Sequence, residues 1–239
     1  MDRQLRHSIK RDRFVEEVGN TVSYLSEHRA AVQKYGAIAL GVVVIASSIY
    51  AYTGYQRRAR LEAIRQATIV LDGVVGGPNP TGGPSFKDQA EKDAATVKAF
   101  SGVADKYPGT REGLLARYNT GGLLCDQGKI KECEAAFSEV AKGGDANIAS
   151  LAKLSLATLY VAQGKVNEAE TVLRDLVNNP TPVVSKEQAQ LSLARTILKS
   201  KPQEARMIIE SLQALDRPAI TRAAVGVLGE LMGQQPMPR

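Results

Sequence analysis

The stretch ASLAKLSLATLYVAQGKVNEAETVLRDLVNNP, residues 149–180, decides the fold of this chain. Apolar residues recur at helical spacing on both sides of a polar turn, Gln163-Gly164-Lys165. Such spacing on each side of a glycine-containing turn is typical of two amphipathic helices. The stretch therefore predicts a helical hairpin.

The hairpin pattern recurs along the chain at a spacing of 36 or 37 residues. The neighbouring copies are EGLLARYNTGGLLCDQGKIKECEAAFSEVAK, residues 112–142, and EQAQLSLARTILKSKPQEARMIIESLQ, residues 187–213. The aligned small residues are Ala116, Ala152 and Ala189; Gly121, Ala157 and Ala194; and Cys133, Ala169 and Ala205. The aligned large residues are Leu124, Tyr160 and Ile197; Phe137, Leu173 and Ile209; and Val140, Leu176 and Leu212. Small residues let paired helices approach closely, and large ones fill the space between hairpins. Because one hairpin cannot bury its own apolar face, the pattern predicts an all-α solenoid of stacked hairpins.

The array extends past these three copies at both ends. AFSGVA at residues 99–104 matches AFSEVA at 136–141 in five of six positions. A helical pattern is already present from residue 57, where we expect the array to begin. Residues 219–232 predict a last helix that covers the exposed apolar face of the array. We therefore assign residues 57–234 to the repeat domain and 235–239 to a tail.

Glycine and proline interrupt the repeat domain at GVVGGPNPTGGPS, residues 73–85. Gly77 and Gly82 have the outer spacing of a phosphate-binding loop, but Gly83-Pro84 stands where that loop needs a lysine followed by serine or threonine. The prolines also remove backbone donors that a phosphate cradle would use. The segment predicts a flexible connecting loop instead of a nucleotide site.

An uncharged apolar run, YGAIALGVVVIASSIYAYTGYQ, occupies residues 35–56. At about 1.5 Å per residue, its 22 residues reach roughly 33 Å as a helix, enough to cross a hydrocarbon core of about 30 Å. A cleaved signal would lie nearer the N-terminus, whereas 34 residues precede this run. A buried core helix is the alternative, but Ser47, Ser48 and Thr53 do not form the polar face expected of one. The run therefore predicts a transmembrane helix.

The formal charge of +6 is concentrated around the apolar run. Residues 1–34 carry seven Lys/Arg against five Asp/Glu, and residues 57–65 carry four arginines against Glu62. Only about one positive charge remains for the rest of the chain. This distribution suits anionic lipid headgroups and excludes a basic nucleic-acid surface on the repeats. The predicted membrane-flanking residues are Lys34, Arg57, Arg58 and Arg60.

The polar segment 1–34 contains one apolar stripe at helical spacing, formed by Phe14, Val18, Val22 and Leu25. It predicts a short amphipathic helix. Two readings are open: the helix contacts the membrane or a partner, or it is a local helix that only precedes the span.

The two cysteines and two histidines form no reactive constellation. His7 and His28 precede the apolar run and Cys125 and Cys133 follow it, so a Cys-His pair would have to form across the membrane. No HExxH, GxSxG or repeated CxxC pattern occurs. We therefore expect no enzyme activity, no cofactor, no metal and no small-molecule substrate.

A disulfide between the two cysteines is conceivable, because Cys125 ends one predicted helix and Cys133 lies near the start of its antiparallel partner. The repeat register disfavours it. Cys133 takes the small, inward position, whereas Cys125 follows Leu124 and is expected to face the opposite side. We expect a buried Cys133 and a Cys125 thiol in the groove, with the disulfide as the less favoured alternative.

The aligned residues resemble tetratricopeptide repeats, in which small and aromatic residues mark fixed positions of a helix-turn-helix of about 34 residues. Residues 149–180 match well, whereas the first unit has Cys133 where alanine is usual and the third is one residue shorter at its turn. The whole layout is similar to the ancillary SecYEG translocon subunit (YfgM-like) family. That resemblance implies a bacterial inner-membrane protein with periplasmic repeats and, as partners, the translocon and periplasmic chaperones.

The resemblance also implies a binding groove, since the first helix of each pair lines the concave surface of such arrays. The predicted groove residues are Tyr118, Cys125, Leu154, Thr158, Val161, Leu191, Arg195 and Leu198. Arrays that grip acidic chaperone tails use Lys and Asn at such positions. This chain has Tyr or Leu there, and also Gly122, Thr158 and Arg195, which argues against an acidic-tail clamp. An apolar groove suits a hydrophobic peptide or a partner helix. The alternative is that Leu154 and Leu191 only pack between hairpins.

Two functions remain open from the sequence. The first is a membrane-tethered scaffold that binds emerging or periplasmic polypeptides near the translocon, and the alternative is a structural accessory subunit of another large membrane complex. Residues 57–76 hold four arginines against Arg29 and Lys34 in residues 15–34, and the positive-inside rule would put the larger group in the cytoplasm. The family resemblance puts the repeats in the periplasm, and we follow it.

Overall fold

The computed structural model describes residues 29–215 and 217–233 of the chain. The predicted N-terminal amphipathic helix and the C-terminal tail lie outside the described residues. The chain divides into two compact units, Met1–Arg58 and Ala59–Arg239.

Helices form most of the described chain. The first, α1, spans Arg29–Leu71, so it contains the whole apolar run and then enters the repeat unit. The other helices are α2 Gln89–Lys106, α3 Arg111–Asp126, α4 Ile130–Ala141, α5 Ala146–Ala162, α6 Val166–Asn178, α7 Lys186–Ile197, α8 Pro202–Gln213 and α9 Pro218–Gly233.

The three predicted hairpins are confirmed as α3–α4, α5–α6 and α7–α8. The aligned small residues are all buried, and the aligned large residues are buried except the half-buried Leu124 and Tyr160. The largest core cluster joins the second and third hairpins to α9, which covers the end of the array as predicted. The pattern of small and large residues therefore identifies positions that are buried within and between the hairpins.

The first helix of each hairpin begins at a side-chain cap. Thr110 accepts a hydrogen bond from the backbone N–H of Gly113, and Ser185 accepts one from that of Gln188. Asp145 caps α5 in the same way and accepts from two backbone N–H groups. These caps satisfy donors that a helix start leaves without a partner, so they fix where each unit begins.

The first two hairpin turns share one geometry. Gly128 and Gly164 have φ of 72° and 75°, a conformation that favours glycine. The backbone N–H of Lys129 donates to Leu124 at 2.9 Å, and that of Lys165 donates to Tyr160 at 2.8 Å. This pattern is a Schellman motif, which ends one helix and turns the chain into the next.

The third turn is built differently. It has no glycine, and Pro202 is the first residue of α8. The backbone N–H of Lys201 donates to Ile197 at 2.7 Å. Proline is well placed at a helix start, because its missing N–H would have no partner there.

The glycine-rich segment between α1 and α2 is more ordered than a flexible connection. Strand β1, Val74–Val75, pairs in parallel with strand β2, Ser85–Phe86. The Ser85 hydroxyl donates to the Gly77 carbonyl at 2.6 Å and closes the segment from within. At Gly73, a Cβ atom would lie 2.5 Å from Phe86 Cε2, so glycine is required for this close approach. The predicted loop is therefore a closed, hydrogen-bonded excursion from the helical stack.

An ion-pair network connects the second and third hairpins. Glu170 on α6 is buried, and it accepts hydrogen bonds from Arg174 at 2.7 Å and from Lys201 at 2.5 Å. Arg174 also donates to Glu204 on α8. These hydrogen bonds, with Lys201 contributing most and Arg174 next, lower the pKa of the Glu170 carboxyl from its ordinary value. The lowered pKa means that the folded repeat unit favours the ionised carboxylate.

Candidate functional site

A pocket of about 510 Å³ opens between α5 and α7, the first helices of the second and third hairpins. Its base is apolar and buried, and Val161 stands at its mouth with 43% of its surface exposed. The residues that line it are Leu154, Ala157, Thr158, Val161, Val166, Leu173, Ser192, Arg195, Thr196, Leu198, Lys199 and Ser200. The volume lies within the range of ordinary ligand sites.

Several hydroxyl groups of the lining use their protons within their own helix. Thr158 donates to the Leu154 carbonyl at 3.1 Å, and Thr196 donates to the Ser192 carbonyl at 2.8 Å. Each hydroxyl has one proton to give, so these two side chains offer an incoming ligand acceptor oxygens and methyl groups.

Formal charge in the lining is of one sign. Arg195 and Lys199 are the charged members of the pocket lining among the described residues, and neither Asp nor Glu is among them. They are four positions apart in sequence, close to the spacing of one helical turn. The site is thus an apolar hollow with cations along its α7 side.

Five of the eight predicted groove residues meet in this pocket: Leu154, Thr158, Val161, Arg195 and Leu198. Leu198 is also buried in the core, and Leu154 packs against the core as well as lining the hollow. Packing between hairpins and lining of the pocket are therefore compatible, because one leucine side chain can contact both the core and the pocket. Their binding role stays a prediction.

Tyr118 and Leu191 lie elsewhere. The Tyr118 ring packs 5.4 Å from that of Phe137, and its hydroxyl lies 3.2 Å from Ser155 Oγ on the next hairpin. Leu191 is half-buried and packs against the core of the second and third hairpins. Packing within and between hairpins thus accounts for both residues.

The expectation of two free thiols is wrong. Cys125 and Cys133 form a disulfide, with their Cα atoms 5.2 Å apart. The helices α3 and α4 converge at their shared tight turn, which brings the two cysteine backbones close enough for a disulfide. The repeat register had disfavoured the bridge because Cys125 was expected to point away from Cys133. Cys125 consequently offers no thiol to the groove.

Sequence reasoning missed Lys199, which lines the pocket just beyond the last residue of α7. The signal was available in the sequence, since Lys199 follows Arg195 by four positions and could share its helical face. The predicted groove positions end at Leu198, so this lysine was not among them.

The apolar run differs from the pocket in its exposure within the part of the chain that the structure describes. Every side chain from residue 33 to residue 55 is exposed, including Ile45 at 61%. The run is the one helix among the described residues that is long and apolar enough to cross a membrane. Of the predicted flanking residues, Lys34, Arg57 and Arg58 are exposed, whereas Arg60 pairs with Glu112 of α3 at 3.3 Å.

Comparison with known families decides the class of the protein. A family model for the tetratricopeptide repeat-like domain matches residues 32–206. The chain belongs to the tetratricopeptide repeat-like family. No curated protein and no solved structure matches it. The tetratricopeptide repeat-like domain makes the chain a scaffold for protein–protein interaction. The match covers the apolar run and continues into α8.

Proposed function

We propose that this tetratricopeptide repeat-like protein is a single-pass scaffold of the bacterial inner membrane that holds its repeats in the periplasm. There it binds emerging or periplasmic polypeptides near the Sec translocon. The observation that carries the proposal is the exposure of every side chain from residue 33 to residue 55. An exposed apolar surface of this length is costly in water, and a hydrocarbon core removes that cost.

Aromatic residues at the ends of the run support the membrane assignment. Tyr35 lies at one end, and Tyr50, Tyr52 and Tyr55 lie toward the other, all exposed. Tyrosine favours the interface between hydrocarbon and water, where the ring is buried and the hydroxyl stays hydrated. The twenty helical steps from Tyr35 to Tyr55 rise about 30 Å, which is the thickness of a typical hydrocarbon core.

The disulfide supports the periplasmic side. Disulfides persist in oxidising compartments such as the periplasm and are rare in the cytosol. The four arginines after the run favour the opposite orientation. The positive-inside rule acts on short flanking segments, whereas long domains are translocated largely regardless of charge. For a repeat unit of this size, the Cys125–Cys133 disulfide is therefore the stronger argument.

The translocon and the periplasmic chaperones are proposed as partners from the resemblance to the YfgM-like family. The repeat unit contributes the hollow between α5 and α7 as a surface for a polypeptide. Purification from native membranes in mild detergent tests this choice of partners. Recovery of Sec components and chaperones would support it, whereas stoichiometric retention in one other complex would identify a structural accessory subunit.

Membrane topology is tested by thiol labelling of spheroplasts. In a variant without the native cysteines, a reporter at the exposed position Lys131→Cys is compared with Ser26→Cys before the apolar run. A membrane-impermeant maleimide should label the reporter at 131 in intact spheroplasts and the reporter at 26 only after lysis. The reverse pattern would place the repeats in the cytoplasm and refute the proposal.

A further inference from the structure

We infer that a cleft beside the turn between α3 and α4 binds a glutamate side chain of a protein partner. The cleft adds a second contact surface to the proposed scaffold function, on which the inference rests. It has a volume of about 590 Å³, and none of its described lining residues belongs to the pocket between α5 and α7. The residues that line the cleft are Ala90, Asp93, Ala94, Val97, Lys98, Ser101, Gln127 and Lys129.

The turn of the next hairpin shows what such a site holds. Its residues Gln163-Gly164-Lys165 are identical to Gln127-Gly128-Lys129 beside the cleft, and both turns form the same Schellman motif. At the later turn, the Gln163 side-chain amide donates to a carboxylate oxygen of Glu134 at 3.4 Å. The Lys165 ammonium donates to the same oxygen at 3.3 Å. This turn therefore presents an amide and an ammonium to one glutamate from α4.

The third turn repeats the pairing with a different local sequence. Lys201 follows Lys129 and Lys165 at a spacing of 36 residues. It donates to Glu170 of α6, which aligns with Glu134 at the same spacing. At both later junctions, a glutamate from the second helix of one hairpin thus reaches the turn of the next hairpin.

The first junction has the donors without the glutamate. When AFSGVA at 99–104 is aligned with AFSEVA at 136–141, Val97 of α2 takes the position of Glu134. Val97 is half-buried and lines the cleft. Lys129 is exposed and forms no ion pair within the part of the chain that the structure describes. The cleft therefore lies where the later junctions hold a glutamate.

The disulfide holds this turn where no glutamate does. Gln127 and Lys129 lie inside the loop that Cys125 and Cys133 close, and neither of the other two hairpin turns contains a cysteine. A covalent link restricts the loop independently of any ion pair. The backbone of the turn therefore keeps the conformation of the occupied turn without a carboxylate from its own chain. A site that is ordered in advance loses less entropy when a ligand binds.

The lining suits the side chain of a glutamate. Ala94 and Val97 offer apolar surface to its methylene groups, and Lys98 adds a second ammonium. Asp93 is the one carboxylate among the described lining residues, and it accepts a hydrogen bond from the Gln89 side chain at 2.6 Å. Two lysines against one aspartate leave one positive charge in the lining, which favours an anionic group. A carboxylate accepts the charge-assisted hydrogen bond that a lysine donates.

The test uses a carbodiimide, which joins a carboxylate to a neighbouring amine as an amide. The full chain in phosphatidylcholine nanodiscs is treated in the presence of a blocked pentapeptide that has one central glutamate between alanines. Mass spectrometry should find the peptide roughly fivefold more often on Lys129 than on Lys131, another exposed lysine two positions away. Equal coupling to the two lysines would overturn the inference.

Val97→Glu locates the peptide to the cleft. The introduced carboxylate should displace the peptide and couple to Lys129 within the chain, as Glu134 should couple to Lys165. A misfolded variant would not gain this coupling. Gly102→Glu adds the same charge at an exposed position of α2 outside the cleft, so it is the matched control and should leave peptide coupling unchanged. Loss of peptide coupling in both variants, or in neither, would contradict the assignment to the cleft.

Native membranes identify the occupant. Carbodiimide treatment should join Lys129 to a glutamate of another protein, and the mass of the linked peptide identifies that protein. A link to a second copy of this chain alone, or to no protein, would overturn the inference. If Sec components and chaperones still co-purify while Lys129 stays unlinked, the inference fails and the proposed scaffold function stands.

Discussion

Two apolar helical stretches of this protein differ in what surrounds them. Helix α5 buries the side chains of one face against neighbouring hairpins, with Leu156 only 5% exposed. The run at residues 35–56 has the same kind of composition, yet its side chains from 35 to 55 are all exposed. Apolar composition favours removal of a segment from water. Among the described residues, protein surrounds α5 but does not cover the apolar run.

The largest expected effect comes from placing the same charge in both stretches. Leu156→Asp should unfold the repeat unit or destabilise it by more than about 3 kcal/mol, because it buries an unpaired carboxylate. Ile45→Asp should leave the thermal unfolding of the repeat unit unchanged but should disfavour membrane insertion by about 2.5–3.5 kcal/mol. Circular dichroism and membrane fractionation measure the two effects.

Val161→Asp is the matched control for the first substitution. It lies on the same helix α5 at an exposed position, so a change within about 0.5 kcal/mol is expected. The comparison would fail if Ile45→Asp lowered the unfolding temperature of the repeats as strongly as Leu156→Asp, since the run would then have a protein core of its own.

Removing the disulfide should have a smaller effect on stability. It should affect the repeat unit and not the apolar run, so it tests the difference between the two stretches. The bridge closes a short loop, with a sequence separation of 8. Replacing Cys125 and Cys133 by alanine should destabilise the repeat unit by about 2.5 kcal/mol, by the loop-entropy relation. Urea unfolding with and without dithiothreitol measures it, and membrane fractionation should not change.

The alanine variant also provides the control for the reductant. Dithiothreitol should shift the unfolding midpoint of the wild-type protein and should have no effect on the variant. An unchanged wild-type midpoint would show that the two thiols are not bridged in the folded protein.

The smallest expected change in the free energy of unfolding comes from replacing Glu170, which links the second and third hairpins. Hydrogen bonds from Lys201 and Arg174 lower the pKa of the Glu170 carboxyl in the folded state. These interactions therefore stabilise the fold fully above the ordinary carboxyl pKa of 4.5. The stabilisation is lost as the pH falls through the lowered pKa of the folded state. Glu170→Gln should therefore cost about 1 kcal/mol at neutral pH and progressively less in acid.

Urea unfolding across that pH range checks the prediction. Glu168→Gln on the same helix is the control, because it removes the same charge at an exposed position. A constant difference between Glu170→Gln and wild type at every pH would indicate a packing effect in place of the ion pair.

Much of the fold was predictable because the repeat is periodic. Ala152, Ala169 and Leu173 were assigned to the core from spacing alone, and each is buried. The closed segment between α1 and α2 was not predictable in this way. Pairing of Val74 with Ser85 depends on the approach of strands that are only two residues long, too short to show a periodic pattern.

The candidate site was predictable only in part. The helical face that holds Leu154 and Val161 follows from the alignment of the repeats, whereas Lys199 matches none of the predicted groove positions. The prediction of a free Cys125 thiol was wrong. It considered only where the side chain points on an ideal helix and left out how closely the two helices approach at their turn.

The sequence by itself determined the hairpins, the positions buried between them and the apolar run, because each is encoded in the spacing of residues along one segment. The tertiary structure alone decided which groove residues share a pocket, which cysteines bond and where Glu170 finds Lys201, 31 positions away. These depend on distances between separate helices, which follow from how the hairpins pack and leave no periodic mark on the chain.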